Sequence, residues 1–199
     1  MPKPPRIVIP EVPHHVTQRG NNHQPIFLEN EDRAVYLSIL KEYCTLYGLH
    51  VYGYCLMTNH VHLVVTPPTQ RSLSSGIGYS HRLYAQKFNK KYDRSGHLWE
   101  SRYYSCPLDD THFIQALIYT DRNPVRAGIV DSATQYRWSS AKAHSGLRDS
   151  AGLVDPDSWS KVSAAYDWEE LLSKEENENE LTELRYYTDT GKSFIRFRN

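Results

Sequence analysis

The chain has 199 residues, of which 39% are hydrophobic and 23% are charged, as is ordinary for a globular domain and unlike a disordered chain. Its 23 basic residues balance its 23 acidic residues. The balance hides a split, because residues 1–148 carry 17 basic and 11 acidic residues while residues 149–199 carry 6 and 12. We therefore predict a basic domain of ordinary size over 1–148 and an acidic C-terminal extension over 149–199.

Several classes of protein are disfavoured by what the sequence lacks. No apolar run approaches the length of about 18 residues that a membrane-spanning helix needs, and no apolar stretch of a secretory signal follows the N-terminus. The cysteines are three, scattered, and free of any C-x-x-C pair, which indicates reduced, packed thiols in a cytoplasmic protein. Phosphate-binding loops, the H-E-x-x-H motif and the G-x-S-x-G motif are also missing.

The first half of the chain alternates strand and helix patterns. A short strand over 14–22 ends in a Gly/Asn turn. Polar residues at 29–32 then precede apolar residues at three- and four-residue spacing up to Leu46, which predicts a helix closed by Gly48. Strands over 49–57 and 60–66, separated by a tight Thr58-Asn59 turn, form an antiparallel hairpin.

The second half continues the alternation and then loses it. We predict a helix over 72–92, a strand over 98–104, and a helix that begins at Asp109, runs to about Arg122, and ends or kinks at Asn123 because Pro124 disfavours helical geometry there. The order β-α-β-β-α-β-α indicates an α+β fold with a ferredoxin-like antiparallel sheet and helices packed on it. Segment 167–183 holds eight acidic residues and one lysine; we expect it to be partly helical or flexible.

His60 and His62 are the sharpest local feature of the sequence. Residues i and i+2 of a strand point to the same face, so the two imidazoles lie side by side, as in the beginning of a divalent-metal site. Two exposed histidines on a strand explain the same pattern, and for an arbitrary H-x-H pair that explanation is the commoner one.

Tyr119 and Asn123 are four residues apart near the end of a predicted helix. Such a pair projects from one side of a helix, so a phenol and an amide oxygen could face one site. The chain has 15 tyrosines, and periodicity alone makes Tyr119 a packing residue like most of the others.

Residues 71–102 combine seven basic side chains with two acidic ones, and aromatic residues are interleaved with them. Basic groups among flat rings suit a nucleic-acid backbone with exposed bases. A solvated helix face with a buried aromatic stripe explains the composition equally well.

Taken together and in order, these residues resemble the REP-associated tyrosine transposases, which belong to the HUH transposases with one catalytic tyrosine. The resemblance covers residues 12–144. It rests on the segments His14-His15-Val16-Thr17-Gln18-Arg19-Gly20-Asn21, Met57-Thr58-Asn59-His60-Val61-His62-Leu63-Val64, Gly96-His97-Leu98-Trp99-Glu100-Ser101-Arg102-Tyr103-Tyr104, Ala116-Leu117-Ile118-Tyr119-Thr120-Asp121-Arg122-Asn123-Pro124-Val125-Arg126-Ala127-Gly128 and Tyr136-Arg137-Trp138-Ser139-Ser140-Ala141.

The resemblance implies an activity and a site. It implies that His60, His62 and Asn123 bind Mg²⁺ or Mn²⁺ and that Tyr119 is the nucleophile of a single-strand DNA cleavage and joining reaction. The implied partner is single-stranded DNA with a hairpin of the REP type, and the implied protein is a monomer or a homodimer. From charge and stacking we add candidate DNA contacts: Arg19, Arg82, Lys87, Lys90, Lys91 and Arg102.

Two other functions are weighed against an active transposase. A non-catalytic DNA-hairpin-binding protein derived from such an enzyme would keep the fold, and a metal phosphoesterase would use the H-x-H strand alone. The latter is disfavoured because such an enzyme would pair two H-x-[ST] motifs, whereas the chain has one, His15-Val16-Thr17. The acidic extension either competes with DNA for the basic domain or acts as a solubilising tail, and we favour the second.

Overall fold

The computed structural model describes residues 6–174 and 177–195. Its centre is a four-stranded antiparallel sheet in the order β2-β3-β1-β4. The strands are β1 (His14–Arg19), β2 (His50–Leu56), β3 (His60–Thr66) and β4 (Tyr104–Pro107). The predicted ferredoxin-like sheet with its β2–β3 hairpin is confirmed.

Helices lie between and after the strands. They are α1 (Asn30–Leu46), α2 (Ser72–Lys91), α3 (Asp110–Arg126), α4 (Ala141–His144), α5 (Pro156–Ser163), α6 (Trp168–Ser173) and α7 (Glu178–Thr190). Helices α1 and α2 pack on each other, α3 packs on the three strands β1, β2 and β3, and α7 packs on β1 and β4. The sheet face beneath α3 and α7 therefore carries the site described below.

The ends of α1 follow from the sequence. Glu29 and Asp32 form a reciprocal capping box, in which each side chain accepts a hydrogen bond from the backbone N–H of the other residue. After the helix, Gly48 adopts φ +66°, a left-handed conformation that favours glycine. The polar start and glycine end that the sequence predicts for this helix are thus confirmed.

The strand predicted over 98–104 is wrong in position, because β4 begins only at Tyr104. The backbone oxygen of Leu98 accepts from the Asn21 N–H at 2.8 Å, and Trp99 makes a single bridge to Gly20. The Leu98 side chain is buried. Apolar and aromatic residues that look like a strand here close a loop over the end of β1.

The helix end predicted near Arg122 is also wrong, because α3 continues through Pro124 to Arg126. Proline removes one backbone hydrogen bond from a helix interior. The later bonds still form, from the Ala127 N–H to the Asn123 oxygen at 3.0 Å and from the Ile129 N–H to the Pro124 oxygen at 2.9 Å. Packing holds this turn, since Pro124 itself is buried.

One hydrophobic core runs through the sheet and into the C-terminal extension. Leu153, Trp159, Trp168 and Leu184 belong to the same buried cluster as Val64 of the sheet. All three cysteines are buried and free, as predicted, and burial raises the pKa of the Cys44 thiol to about 12. Among the described residues, no helix combines the length and the apolar character needed to cross a membrane.

Candidate active site

Strand register brings the predicted histidines to one face of the sheet. His62 of β3 lies opposite Thr17 of β1, and His60 lies opposite Arg19. Because residues two apart on a strand share a face, His15 also projects on this side. The His15 and His62 rings are stacked, with centroids 5.3 Å apart and an angle of 8° between their planes.

Tyr119 reaches the same place from α3. Its ring meets His62 edge-on with centroids 5.4 Å apart, and it meets His15 in the same way at 5.7 Å. The side chain is only 7% exposed. The structure thus joins the tyrosine and the H-x-H pair, which are more than fifty residues apart in the sequence.

The three rings open into a cavity of about 310 Å³. Strands β1 and β3 form its floor, α3 supplies Tyr119, and α7 closes one side. The lining residues are His15, Thr17, Gln18, Arg19, His60, His62, Glu100, Tyr104, Tyr119, Arg185, Thr188 and Asp189.

A hydrogen bond from the adjacent turn fixes the ring of His60. Its Nδ1 lies 2.7 Å from the Asn59 side-chain oxygen, and the Asn59 amide nitrogen donates to the His23 carbonyl at 3.2 Å. Since the carboxamide oxygen only accepts, the Nδ1 of His60 carries the proton and its Nε2 keeps a lone pair. Hydrogen bonds of this kind orient the rings of metal-binding histidines.

The ring of His62 has one nitrogen engaged and one without a partner. Its Nδ1 lies 3.1 Å from the Nε2 of His15, whereas its Nε2 is buried and has no hydrogen-bond partner among the described residues. An orphaned buried ring nitrogen carries a desolvation cost unless something binds it. His62 therefore fits a metal ligand.

The histidines of the site are held neutral. Burial lowers the pKa of His60 to about 4, with a smaller contribution from the charge of Arg19. Burial also lowers the pKa of His15 to about 3, and it places the pKa of His62 well below its ordinary value. Neutral imidazole is the form that binds a cation.

Asn123, the third predicted metal ligand, lies one turn after Tyr119 and is 7% exposed. Its amide nitrogen donates to the backbone oxygen of Tyr119 at 3.3 Å. The residue is not among those described as lining the cavity. Over residues 6–174 and 177–195, no three histidine, cysteine or acidic side chains are grouped to hold a metal, so a third protein ligand would have to be of another type.

Two arginines that the sequence did not single out lie against Tyr119. The guanidinium carbon of Arg126 is 4.4 Å from the centre of the phenol ring, and that of Arg185 is 5.7 Å from it. The Nε of Arg185 donates to the Tyr119 hydroxyl at 3.4 Å. Positive charge thus surrounds the group that was predicted to attack a phosphate.

A second cavity, of about 810 Å³, adjoins the first, and both are lined by Gln18 and Glu100. It lies between α2 and the loop 96–103, and we call it the basic-aromatic groove. Its basic and aromatic lining residues are Arg6, Arg82, Arg102, Tyr79, Trp99 and Tyr103.

The six predicted DNA contacts fall in different places. Arg82 and Arg102 line the basic-aromatic groove, and Arg19 lines the histidine cavity. Lys87 and Lys90 are exposed on α2 but are not among the described groove residues.

Lys91 has a different environment from the other basic residues of α2. Its ammonium group lies 2.8 Å from Asp32, 3.1 Å from Glu29 and 3.6 Å from Glu31. Hydrogen bonding to Asp32 raises the pKa of Lys91. Its charge is compensated by carboxylates of α1, and its visible role is to hold α1 to α2.

A ferredoxin-like sheet that presents paired histidines beside a helix-borne tyrosine is the arrangement expected of a single-tyrosine HUH transposase. A family sequence profile described as "Transposase IS200 like" matches residues 10–123. The chain belongs to this family.

Comparison with individual proteins agrees with the resemblance drawn from the motifs. A REP-associated tyrosine transposase of Haemophilus influenzae is 27% identical over 142 residues, which are 65% of this chain and 75% of that protein. A solved structure of a REP-associated tyrosine transposase bound to a REP hairpin superposes with a TM-score of 0.58 at 15% identity, over 74% of this chain and 88% of the other. The latter likeness confirms the fold.

Proposed function

We propose that this protein is a metal-dependent strand transferase that cleaves and rejoins single-stranded DNA at hairpins of the REP type. The observation that carries the proposal is the meeting of Tyr119 with His62 in one cavity, at 5.4 Å between ring centroids. Family membership gives the class of reaction, and this contact gives a nucleophile beside a pair of neutral imidazoles.

His60 and His62 would hold a divalent cation, Mg²⁺ or Mn²⁺, with Asn123 as the third ligand that the resemblance implies, although Asn123 is not among the described cavity residues. The orphaned Nε2 of His62 and the lone pair left on His60 are the donors that support this assignment. When bound, such an ion would polarise the scissile phosphate and offset the negative charge that develops on it.

Tyr119 would attack the phosphorus atom. The phenol loses its proton as the bond between phosphorus and the phenolic oxygen forms, and the bond to the 3′ oxygen breaks, which gives a 5′-phosphotyrosine and a 3′ oxygen that takes up a proton to become a hydroxyl. Arg185 and Arg126 would attract the phosphate to the phenol. The phosphotyrosine preserves the energy of the broken bond, so joining needs no nucleotide, in agreement with the missing phosphate-binding loops.

The basic-aromatic groove would hold the strand that leads to the cavity. Arg82 and Arg102 would contact phosphates, while Trp99 and Tyr79 offer faces on which bases stack. Since the groove and the cavity share Gln18 and Glu100, a strand can pass from one to the other. Tyr119 lies against histidines of its own chain, so we propose that a single chain completes the site.

A labelled hairpin oligonucleotide taken from DNA flanking the gene tests this function. The protein is incubated with it and Mn²⁺ or Mg²⁺, and a denaturing gel is inspected for a covalent protein–DNA adduct. We expect an adduct with wild type and none with Tyr119→Phe or His62→Ala. Tyr104→Phe is the matched control, because Tyr104 lines the same cavity and should leave the adduct unchanged.

Each result selects one function. Tight binding of the hairpin without an adduct, with either metal, would favour the non-catalytic hairpin-binding protein instead. An adduct that survives in Tyr119→Phe would show that another residue is the nucleophile.

A further inference from the structure

We propose that Thr188 of α7 and His15 of β1 act as positioning residues that fix the tautomer of His62, so that its Nε2 presents a lone pair to the cavity. The inference rests on the proposed role of His62 as a metal ligand. It assigns a function to the C-terminal extension, which carries Thr188, and to a histidine that the H-x-H pair does not include.

The direction of the first hydrogen bond follows from Thr188. Its hydroxyl lies 2.8 Å from the backbone oxygen of Leu184, which can only accept, so the single hydroxyl proton points there. The same hydroxyl oxygen lies 2.8 Å from the Nδ1 of His15. With its proton committed, Thr188 is an acceptor toward His15, and the Nδ1 of His15 carries a proton.

The second bond then has only one possible direction. His15 is buried and neutral, so a proton on its Nδ1 leaves its Nε2 as an acceptor. The Nε2 of His15 lies 3.1 Å from the Nδ1 of His62, which must therefore donate. Because His62 is also neutral, its proton on Nδ1 leaves a lone pair on Nε2, the atom that is buried without a partner.

The geometry favours this series of hydrogen bonds over simple packing of the three side chains. Both Thr188 and His15 are almost fully buried, at 1% exposure each, and the planes of the His15 and His62 rings are nearly parallel, at 8° to each other. Outer-shell groups that orient a ligating histidine are typically worth about 10- to 100-fold in metal affinity. We expect loss of the Thr188 hydroxyl to weaken Mn²⁺ binding by about tenfold or more.

Ring-nitrogen NMR measures the tautomer directly, without metal or DNA. In protein labelled with ¹⁵N in its histidine rings, at mildly alkaline pH, we expect His62 as the Nδ1–H tautomer in wild type. Thr188→Val should shift it toward the Nε2–H tautomer, and Thr188→Ser, which restores a hydroxyl, should return it. The affinity for Mn²⁺ alone, measured by calorimetric titration, should be lower in Thr188→Val than in wild type and should be restored in Thr188→Ser.

Thr190→Val is the matched control, because Thr190 makes the same kind of bond to its own helix, with the Tyr186 oxygen, and is exposed. It should leave both readouts unchanged. The proposal is overturned if wild-type His62 is the Nε2–H tautomer, or if Thr188→Val alters neither tautomer nor affinity. Should wild type bind no Mn²⁺, the metal role fails by itself, while the spectra still decide whether Thr188 controls the tautomer.

Discussion

Trp168 of α6 donates its indole N–H to the carboxylate of Asp121 at 3.0 Å. Asp121 lies on α3 only two residues after Tyr119, and it is fully buried. Its carboxylate also accepts from the Ser140 hydroxyl at 2.8 Å and contacts the Nδ1 of His144 at 2.6 Å. One carboxylate therefore ties the C-terminal extension to the helix that carries the candidate nucleophile.

Replacement of this carboxylate should destabilise the whole protein. We expect Asp121→Ala to lower the free energy of unfolding by about 3–5 kcal/mol, because it leaves three buried donors without an acceptor. Urea unfolding followed by circular dichroism measures the change. Asp131→Ala, at an exposed position, should change stability by less than about 0.5 kcal/mol; equal effects of the two substitutions would contradict the role given to Asp121.

Acid should destabilise the protein through His81, a buried histidine at the basic-aromatic groove, away from the histidine cavity. Burial lowers its pKa to about 3, whereas an unfolded chain has the ordinary pKa of about 6.5. Below the unfolded pKa, His81 binds a proton in the unfolded chain but stays neutral in the folded chain. The stability present at neutral pH is therefore lost as the pH falls toward the folded pKa. This side chain should account for about 2 kcal/mol between about pH 7 and about pH 5.

A variant isolates the contribution of His81. His81→Gln keeps a polar partner for the Tyr36 hydroxyl, which lies 2.8 Å from the His81 Nε2, but it cannot titrate. The free energy of unfolding should fall less steeply with decreasing pH for the variant. The difference in slope should correspond to about one proton fewer taken up on unfolding. Parallel curves for variant and wild type would show that His81 is not held neutral.

The two kinds of basic residue on α2 should behave differently toward DNA. Arg82→Ala should weaken hairpin binding and reduce the slope of log affinity against log salt concentration by about one. Lys91→Ala, which removes a charge already compensated by Asp32 at 2.8 Å, should lower stability and leave the salt slope unchanged. Fluorescence anisotropy at several salt concentrations measures both, and a larger loss of slope for Lys91→Ala would refute the proposed groove.

Gly20, at the end of β1, should not tolerate a side chain. A Cβ there would lie 2.3 Å from the backbone oxygen of Gln24 and 2.8 Å from Ile26. Gly20→Ala should therefore cost about 1–3 kcal/mol. Gly78→Ala in α2, where a Cβ would meet nothing within 4 Å, should instead stabilise by about 0.5–1 kcal/mol. Thermal unfolding of the two variants tests this; stabilisation by Gly20→Ala would be the contrary result.

Local patterns account for most of the fold. The capping residues and Gly48 define α1, and the hairpin follows from two apolar runs around a tight turn. The errors at the predicted strand 98–104 and at the end of α3 have one origin, because the local sequence indicates the intrinsic preference of a segment and not the residues that pack against it. Leu98 and Trp99 resemble a strand but close a loop, and Pro124 should end a helix that burial keeps intact.

The candidate site was only partly accessible from the sequence. The resemblance supplied His60, His62, Asn123 and Tyr119; the structure brings His60, His62 and Tyr119 together in one cavity, whereas Asn123 is not among the described cavity residues. Segment 184–192 is faintly similar to a C-terminal segment of the family, but Thr188 and Arg185 were not identified as site residues, because nothing in local spacing relates α7 to a strand more than a hundred residues earlier. His15 belongs to the first motif, two positions before Thr17. Strand periodicity places the two on one face, and once the register of β1 and β3 is known, that face is the one that carries His62.

The family profile ends at residue 123, whereas the wall formed by α7 begins at Glu178. A homologous gene interrupted by a stop codon after residue 123 and before Trp168 would still match the profile over the same residues and would retain every motif histidine and the tyrosine. Its product would lack Arg185, Thr188 and the indole that reaches Asp121. Counts of intact transposase genes that rely on the motifs alone would therefore include such remnants, and the reading frame beyond the tyrosine helix should be inspected before a copy is scored as functional.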